Sequence, residues 1–141
     1  MNSMIEGFKI FIGFIIICVS IYCTVMAFFS FISGWIRLSG LHPAPEIREQ
    51  EFVEYKSQTV LMGYMTYTMT VDTKFTDTGI ILTITRAFSF MHKPMIIPYD
   101  KIIEAKKMAL YPYGIEFKFE NVRMQMEGES AEELEKILKI Q

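Results

Sequence analysis

The sequence predicts one N-terminal transmembrane helix followed by a mainly-β domain, a bent antiparallel sheet of about seven short strands closed by a C-terminal helix. Three observations carry this. Residues 10–36 (IFIGFIIICVSIYCTVMAFFSFISGWI) contain no charged side chain. From about residue 51, apolar side chains recur at every second position, the pattern of strands with one dry face. Behind Ser130, residues Leu134, Ile137 and Leu138 recur at helical spacing against Glu132, Glu135, Lys136 and Lys139, which is an amphipathic helix. The expected division is an anchor over 1–38, a Pro/Gly linker over 39–50 and a β domain over 51–141, with its terminal helix at 130–140.

A helix rises about 1.5 Å per residue and the hydrocarbon core is about 30 Å thick, so roughly 20 apolar residues suffice to cross. Residues 10–36 exceed that. A cleaved leader has an apolar stretch of only about 7–15 residues and a small-x-small site, so the segment reads as a retained anchor. Lys9 before it is offset by Glu6, while Arg37, Arg48 and Lys56 follow it, a bias that puts the C-terminal domain in the cytoplasm. Both cysteines, Cys18 and Cys23, lie within the span. There they act as small apolar side chains and build neither a disulfide nor a metal site.

Within the span, Ser20, Cys23, Ala27, Ser30 and Gly34 recur at steps of three and four. Lipid tails give helices no hydrophobic reason to associate, and small residues permit close approach. The stripe is therefore the candidate face for pairing with a partner protein or a second copy. Trp35 is expected in the aromatic belt at the membrane boundary, with Arg37 reaching for phosphates. Gly40, Pro43 and Pro45 in SGLHPAPE then break the helix and form a short, stiff linker.

In the domain, Met65, Tyr67, Met69 and Val71 alternate with threonines, the sign of a half-buried strand. Ile115, Phe117 and Phe119 do so with Glu116 and Lys118, and Val122, Met124 and Met126 with Arg123, Gln125 and Glu127. Glu120-Asn121 is short enough for a tight hairpin, and Asp77-Thr78-Gly79 makes a turn. Further runs at 51–62, 80–86, 95–98 and 102–108 bring the count to about seven. Most of the eleven methionines fall at inward positions as adaptable core filler. Ser130 followed by Glu133 reads as a capping box at the start of the last helix.

Seven short antiparallel strands and one terminal helix is the element order of the pleckstrin-homology-like barrel, the helix plugging an open end with Leu134 and Leu138. The segments TDTGIILT at 76–83 and MIIPYDKI at 95–102 resemble the core pattern of bacterial pleckstrin-homology-like and GRAM-type domains, with Gly79, Pro98 and Ile102 at the matching positions. The order of a span ending in SGW, a short linker and HKPMIIPYDKI is similar to that of small bacterial membrane-anchored proteins. Lys93 and Met95 depart from the pattern, and only one span is present. The resemblance implies a fold and a place in the bacterial inner membrane, not a reaction.

His92, Lys93 and Asp100 suggest acid–base chemistry. His92 and Asp100 are, however, eight residues apart across Pro94 and Pro98, more than about 20 Å along an extended chain. No nucleophile sits in a Gly-rich elbow. His42 and His92, fifty residues apart, make no ligand set, and the isolated glycines make no phosphate loop. The sequence thus predicts neither enzyme activity nor a cofactor or metal. Net charge is −2, from 14 basic and 16 acidic residues without a single-sign block, which argues against nucleic acid.

The stretch from Arg86 to Lys93 combines basic groups with Phe88, Phe90, Met91 and His92, a composition suited to lipid or partner contact, with a hairpin tip at Met91 to Pro94. The competing reading makes it a structural connection with Phe88 and Phe90 in the core. Lys101, Lys106 and Lys107, interleaved with Glu104, read as a solvated edge. The expected function is a non-enzymatic, membrane-anchored module that binds a protein or lipid at the inner-membrane surface. The alternative is a structural accessory subunit of a membrane complex, held through its transmembrane helix.

Overall fold

The structure, a computed structural model, describes residues 2–46, 52–109 and 113–140. Helix α1 (Asn2–Ser33) is the one helix among the described residues that is long and apolar enough to cross a membrane. Two of its hydroxyls are satisfied by its own backbone. Ser20 donates to the Ile16 carbonyl and Thr24 to that of Ser20, each at 2.8 Å.

Helix α1 ends at Gly34, where φ is +82°. This left-handed conformation is open to glycine at little cost. The chain turns there and starts a second helix, α2 (Trp35–Leu41), so the helix breaks earlier than the expected Gly40–Pro45. Trp35 and Leu38 of α2 are fully buried in the core. Residues 39–46, expected to lie in a spacer, belong to the domain: Pro43 bridges to Met95, and the amides of Ile96 and Ala44 bond the carbonyls of His42 and Pro94. The rest of the expected linker, 47–50, and Glu51 lie outside the described residues.

Strands β1 (Val53–Met62), β2 (Met65–Phe75), β3 (Gly79–Ile84), β4 (Met95–Pro98), β5 (Ile103–Lys107), β6 (Gly114–Phe119) and β7 (Val122–Glu127) form one antiparallel sheet in the order β4-β3-β2-β1-β7-β6-β5. The sheet curls into a half-barrel around Val60, Met62, Val71, Leu82, Ile97, Phe117 and Met124. Helix α3 (Glu129–Leu138) closes it with Ala131 and Leu134. The expected fold class is therefore the observed one, with α2 as an added core element.

Several local expectations hold. Glu120 and Asn121 both take positive φ and join β6 to β7, with Phe119 paired to Val122, as a two-residue hairpin requires. Others do not. Met69 faces outward because β1 and β2 slip in register between Tyr55 and Val60, leaving Met69 with φ +52°. Such bulges re-aim side chains that simple alternation would place inward. The capping box does not form. Gly128 occupies the cap position, so Ser130 falls inside the helix and donates to the Glu127 carbonyl at 3.0 Å, while Glu133 accepts from Tyr55 at 3.2 Å.

Gly79 shows how tightly β3 and β4 approach. A Cβ there would lie 2.4 Å from the Ile97 carbonyl oxygen, and backbone cannot step aside as a side chain can. Gly79→Ala is expected to lower stability by about 1–3 kcal/mol, the usual cost of overpacking. Chemical unfolding of the full chain in detergent checks this, and a change within about 0.5 kcal/mol, the range of neutral surface substitutions, would contradict it.

Candidate functional site

The densest cluster of polar and aromatic side chains lies where α1 meets the sheet. Three rings form its centre: Trp35, Tyr67 and His92, with centroids 5.3–5.5 Å apart and edge-to-face geometry. Such pairs add stability beyond the area they bury. Each ring also has its polar atom bonded. Trp35 Nε1 donates to the Lys93 carbonyl at 2.8 Å. The Tyr67 hydroxyl lies 2.7 Å from Ser33 Oγ and 3.0 Å from His92 Nε2. His92 Nδ1 is 2.8 Å from the Phe90 carbonyl. A carbonyl only accepts, so Nδ1 carries the proton and Nε2 accepts from Tyr67.

The connection between β3 and β4, residues 85–94, is thereby fastened to α1 and to the start of α2. Besides the Trp35 bond, Ser30 Oγ donates to the Met91 carbonyl at 2.7 Å and the Tyr22 hydroxyl donates to that of Ala87. The connection begins with a short 3₁₀ turn, Arg86–Phe88, and is longer and less regular than the expected hairpin tip. Positive φ at Met91 reverses the local alternation, so Met91 and Lys93 face out while His92 faces in. Phe88 and Phe90 are exposed rather than core, as is Met91. Arg86 and Lys93 are exposed as well.

Two site residues sit where their types did not suggest. Trp35, expected in a boundary belt, is 0% exposed, because the Gly34 turn swings it into the sheet. His92, expected at an exposed tip, is 2% exposed. Arg37 is exposed and donates to the Glu120 carbonyl at 2.8 Å. Close by, His42 Nε2 meets the Glu120 carboxylate at 2.8 Å, which holds that carboxyl below its ordinary range, aided by Lys101.

The stripe of small residues divides. Ser30 is buried and bonded to the protein's own β3–β4 connection, and Gly34 forms the turn. Ala27 and Cys23 are half-buried, and Ser20 is open. The residues that sequence reasoning missed are Ser33 and Tyr67. Tyr67 is one of a row of alternating inward side chains, and nothing local marks the histidine 25 positions later as its partner.

A cleft of about 620 Å³ opens on the other side of the α1–α2 turn, lined by Phe31, Ile32, Ile36, Arg37, Tyr64 and Val122 among others. Phe31 and Tyr64 are 76% and 92% exposed. A separate ionic cluster lies on the sheet's outer face. Gln125, Lys106 and Arg123 surround the Glu116 carboxylate and pull its pKa down to about 2. It accounts for its own charges. Among the described residues no three His, Cys, Asp or Glu side chains gather into a set that could hold a metal ion. Asp100 is not among His92's hydrogen-bond partners.

Comparison with protein-family models, curated proteins and solved structures returned no match.

Burial pushes the His92 pKa down, against a smaller upward pull from the Phe90 carbonyl. The unfolded chain, with histidine near its ordinary value of about 6.5, takes up the proton first as pH falls. The unfolded state then binds more protons, so stability is present above about pH 6.5 and is lost as pH drops below it towards the folded pKa. The thermal midpoint of the full chain in detergent should fall between pH 7 and about 5.5, and His92→Gln should flatten that slope. Equal slopes in both proteins would contradict the assignment.

Proposed function

We propose that the protein is a non-enzymatic, single-pass protein of the bacterial inner membrane whose pleckstrin-homology-like domain faces the cytoplasm and binds anionic lipid headgroups there. The observation that carries this reading is that three of the five described cations without an ion pair gather at one place. Arg37, Arg86 and Lys93 all flank the junction with α1, all are exposed, and none makes an ion pair among the described residues. Most other described cations, by contrast, are matched: Lys74 with Glu54, Lys106 and Arg123 with Glu116, Lys107 with Glu135, and Lys118 with Glu104. Lys56 on β1 and Lys139 after α3 are the exceptions.

If α1 crosses the bilayer, these three cations stand at its cytoplasmic exit, where basic groups gain about 1 kcal/mol each from an anionic surface. The cleft beside Arg37 adds apolar walls in Phe31, Ile32 and Ile36, a combination suited to a phospholipid's phosphate and upper chain. Tethering favours weak contacts of this kind, because an anchored domain meets the surface at high effective concentration. The other reading, an accessory subunit held by the small-residue stripe, has less support, since Ser30 and Gly34 already serve the chain's own domain.

The test is lipid selectivity. Full-length protein purified in detergent and offered equal phosphatidylglycerol and phosphatidylcholine should retain phosphatidylglycerol preferentially in native mass spectrometry. The triple variant Arg37→Gln, Arg86→Gln, Lys93→Gln should lose about tenfold or more of that preference, given the worth of charge-assisted hydrogen bonds. Equal retention of the two lipids by the unaltered protein would overturn the headgroup reading and favour a protein partner.

A further inference from the structure

We infer that the β3–β4 connection, residues 85–94, is sunk in the cytoplasmic leaflet, as a wedge of irregular backbone held against the transmembrane helix. The inference rests on the reading above in two respects, that α1 crosses the bilayer and that the domain lies on its cytoplasmic side.

Depth is the first argument. Lys9, paired with Glu6 at 2.9 Å, is the last charged residue before the span and marks its far boundary. Twenty residues beyond Lys9 cover the roughly 30 Å of hydrocarbon and reach about Phe29. Tyr22, thirteen positions past Lys9, then lies about 20 Å along the helix, well inside the near leaflet. Its hydroxyl donates to the Ala87 carbonyl, so the connection reaches that depth. Ser30, bonded to Met91, holds the other limb near the boundary.

The backbone is the second. Irregular chain survives at membrane depth only where its polar groups are satisfied, since each unsatisfied one costs several kcal/mol. Side chains supply four of the bonds needed: Tyr22 to the Ala87 carbonyl, His92 to Phe90, Ser30 to Met91 and Trp35 to Lys93. Backbone amides of Phe88, Ser89, His92 and Ala44 take the carbonyls of Thr85, Arg86, Ser89 and Pro94. The amides of Arg86, Ala87, Phe90, Met91 and Lys93 have no hydrogen-bond partner among the described residues, so the wedge sits at a level where headgroups or water still reach its backbone.

Composition is the third. The large side chains that leave the connection outward are Phe88, Phe90 and Met91, apolar and two of them aromatic. The exposed Ser89 between them donates its hydroxyl to the Arg86 carbonyl at 2.9 Å, while the exposed cations Arg86 and Lys93 stand at the two ends. Long basic side chains at the ends of an immersed segment can extend their charge to the phosphates. The β2–β3 turn at the opposite end of β3 carries Asp77 and Thr78 instead, both exposed. The domain thus has one apolar end and one polar end, and the apolar end adjoins the span.

The test uses the full chain with Cys18 and Cys23 replaced by alanine and an environment-sensitive nitrobenzoxadiazole label at Phe90→Cys or, for comparison, Asp77→Cys. The protein is reconstituted into phosphatidylcholine–phosphatidylglycerol vesicles that carry a nitroxide high on the acyl chain. The inference predicts blue-shifted emission and strong quenching at position 90, with neither at position 77. Tyr22→Phe, which leaves the Ala87 carbonyl without its donor, should weaken the quenching at 90. Emission at 90 as red and as little quenched as at 77 would overturn it. A quenched position 90 without lipid selectivity would sink the headgroup reading alone, whereas selectivity with an unquenched position 90 would sink this inference alone.

Discussion

Trp35 enters the core of the sheet one residue after the apolar helix ends, and most of the architecture depends on that insertion. The indole is fully buried, packs edge-on against Tyr67 and His92, and bonds the Lys93 carbonyl. Its position in sequence leaves no slack between helix and domain. Gly34 makes the arrangement feasible, since its positive φ redirects the chain within a single residue. With Trp35 in place, Leu38 follows one turn later into the same core, and α2 becomes part of the domain instead of a tether.

Other features follow from this fixed geometry. Holding Trp35 inside the sheet brings the end of α1 alongside β2 and the β3–β4 connection, so Ser30 and Ser33 must find partners, and they do in Met91 and Tyr67. His92 is drawn inward to complete the ring cluster and is kept neutral by its burial. The segment beyond α2 lies along β4 and occupies bonds that would otherwise be open on an edge strand, which removes a template for unwanted pairing. One apolar end of the domain is left beside the helix, where Phe88, Phe90 and Met91 are exposed.

The coarse fold was legible because it rests on periodicity. The uncharged run, the alternation at 115–119 and 122–126, and the face of Leu134 each report a local pattern that burial then enforces. The junction was not legible. Trp35 after a long apolar run has the composition of a boundary residue, and only the turn at Gly34 sends it elsewhere. His92 between Met91 and Lys93 looks exposed until the positive φ at Met91 turns it over. Met69 was misplaced by a register slip, and Ser130 by a glycine that took the cap position first. In each case a single backbone conformation overrode a pattern, and such conformations leave little trace in residue type when the residue is not glycine.

The central claim is that helix and domain move as one body, joined through Gly34, Trp35 and the bonds around them. Pulsed electron spin resonance tests it most directly, with spin labels at Ile16→Cys on the helix and Asp77→Cys on the far turn of the sheet, both exposed, and both native cysteines replaced by alanine. In lipid nanodiscs the account predicts a single narrow distance distribution. A broad distribution, of the kind a flexible tether between anchor and domain produces, would contradict it.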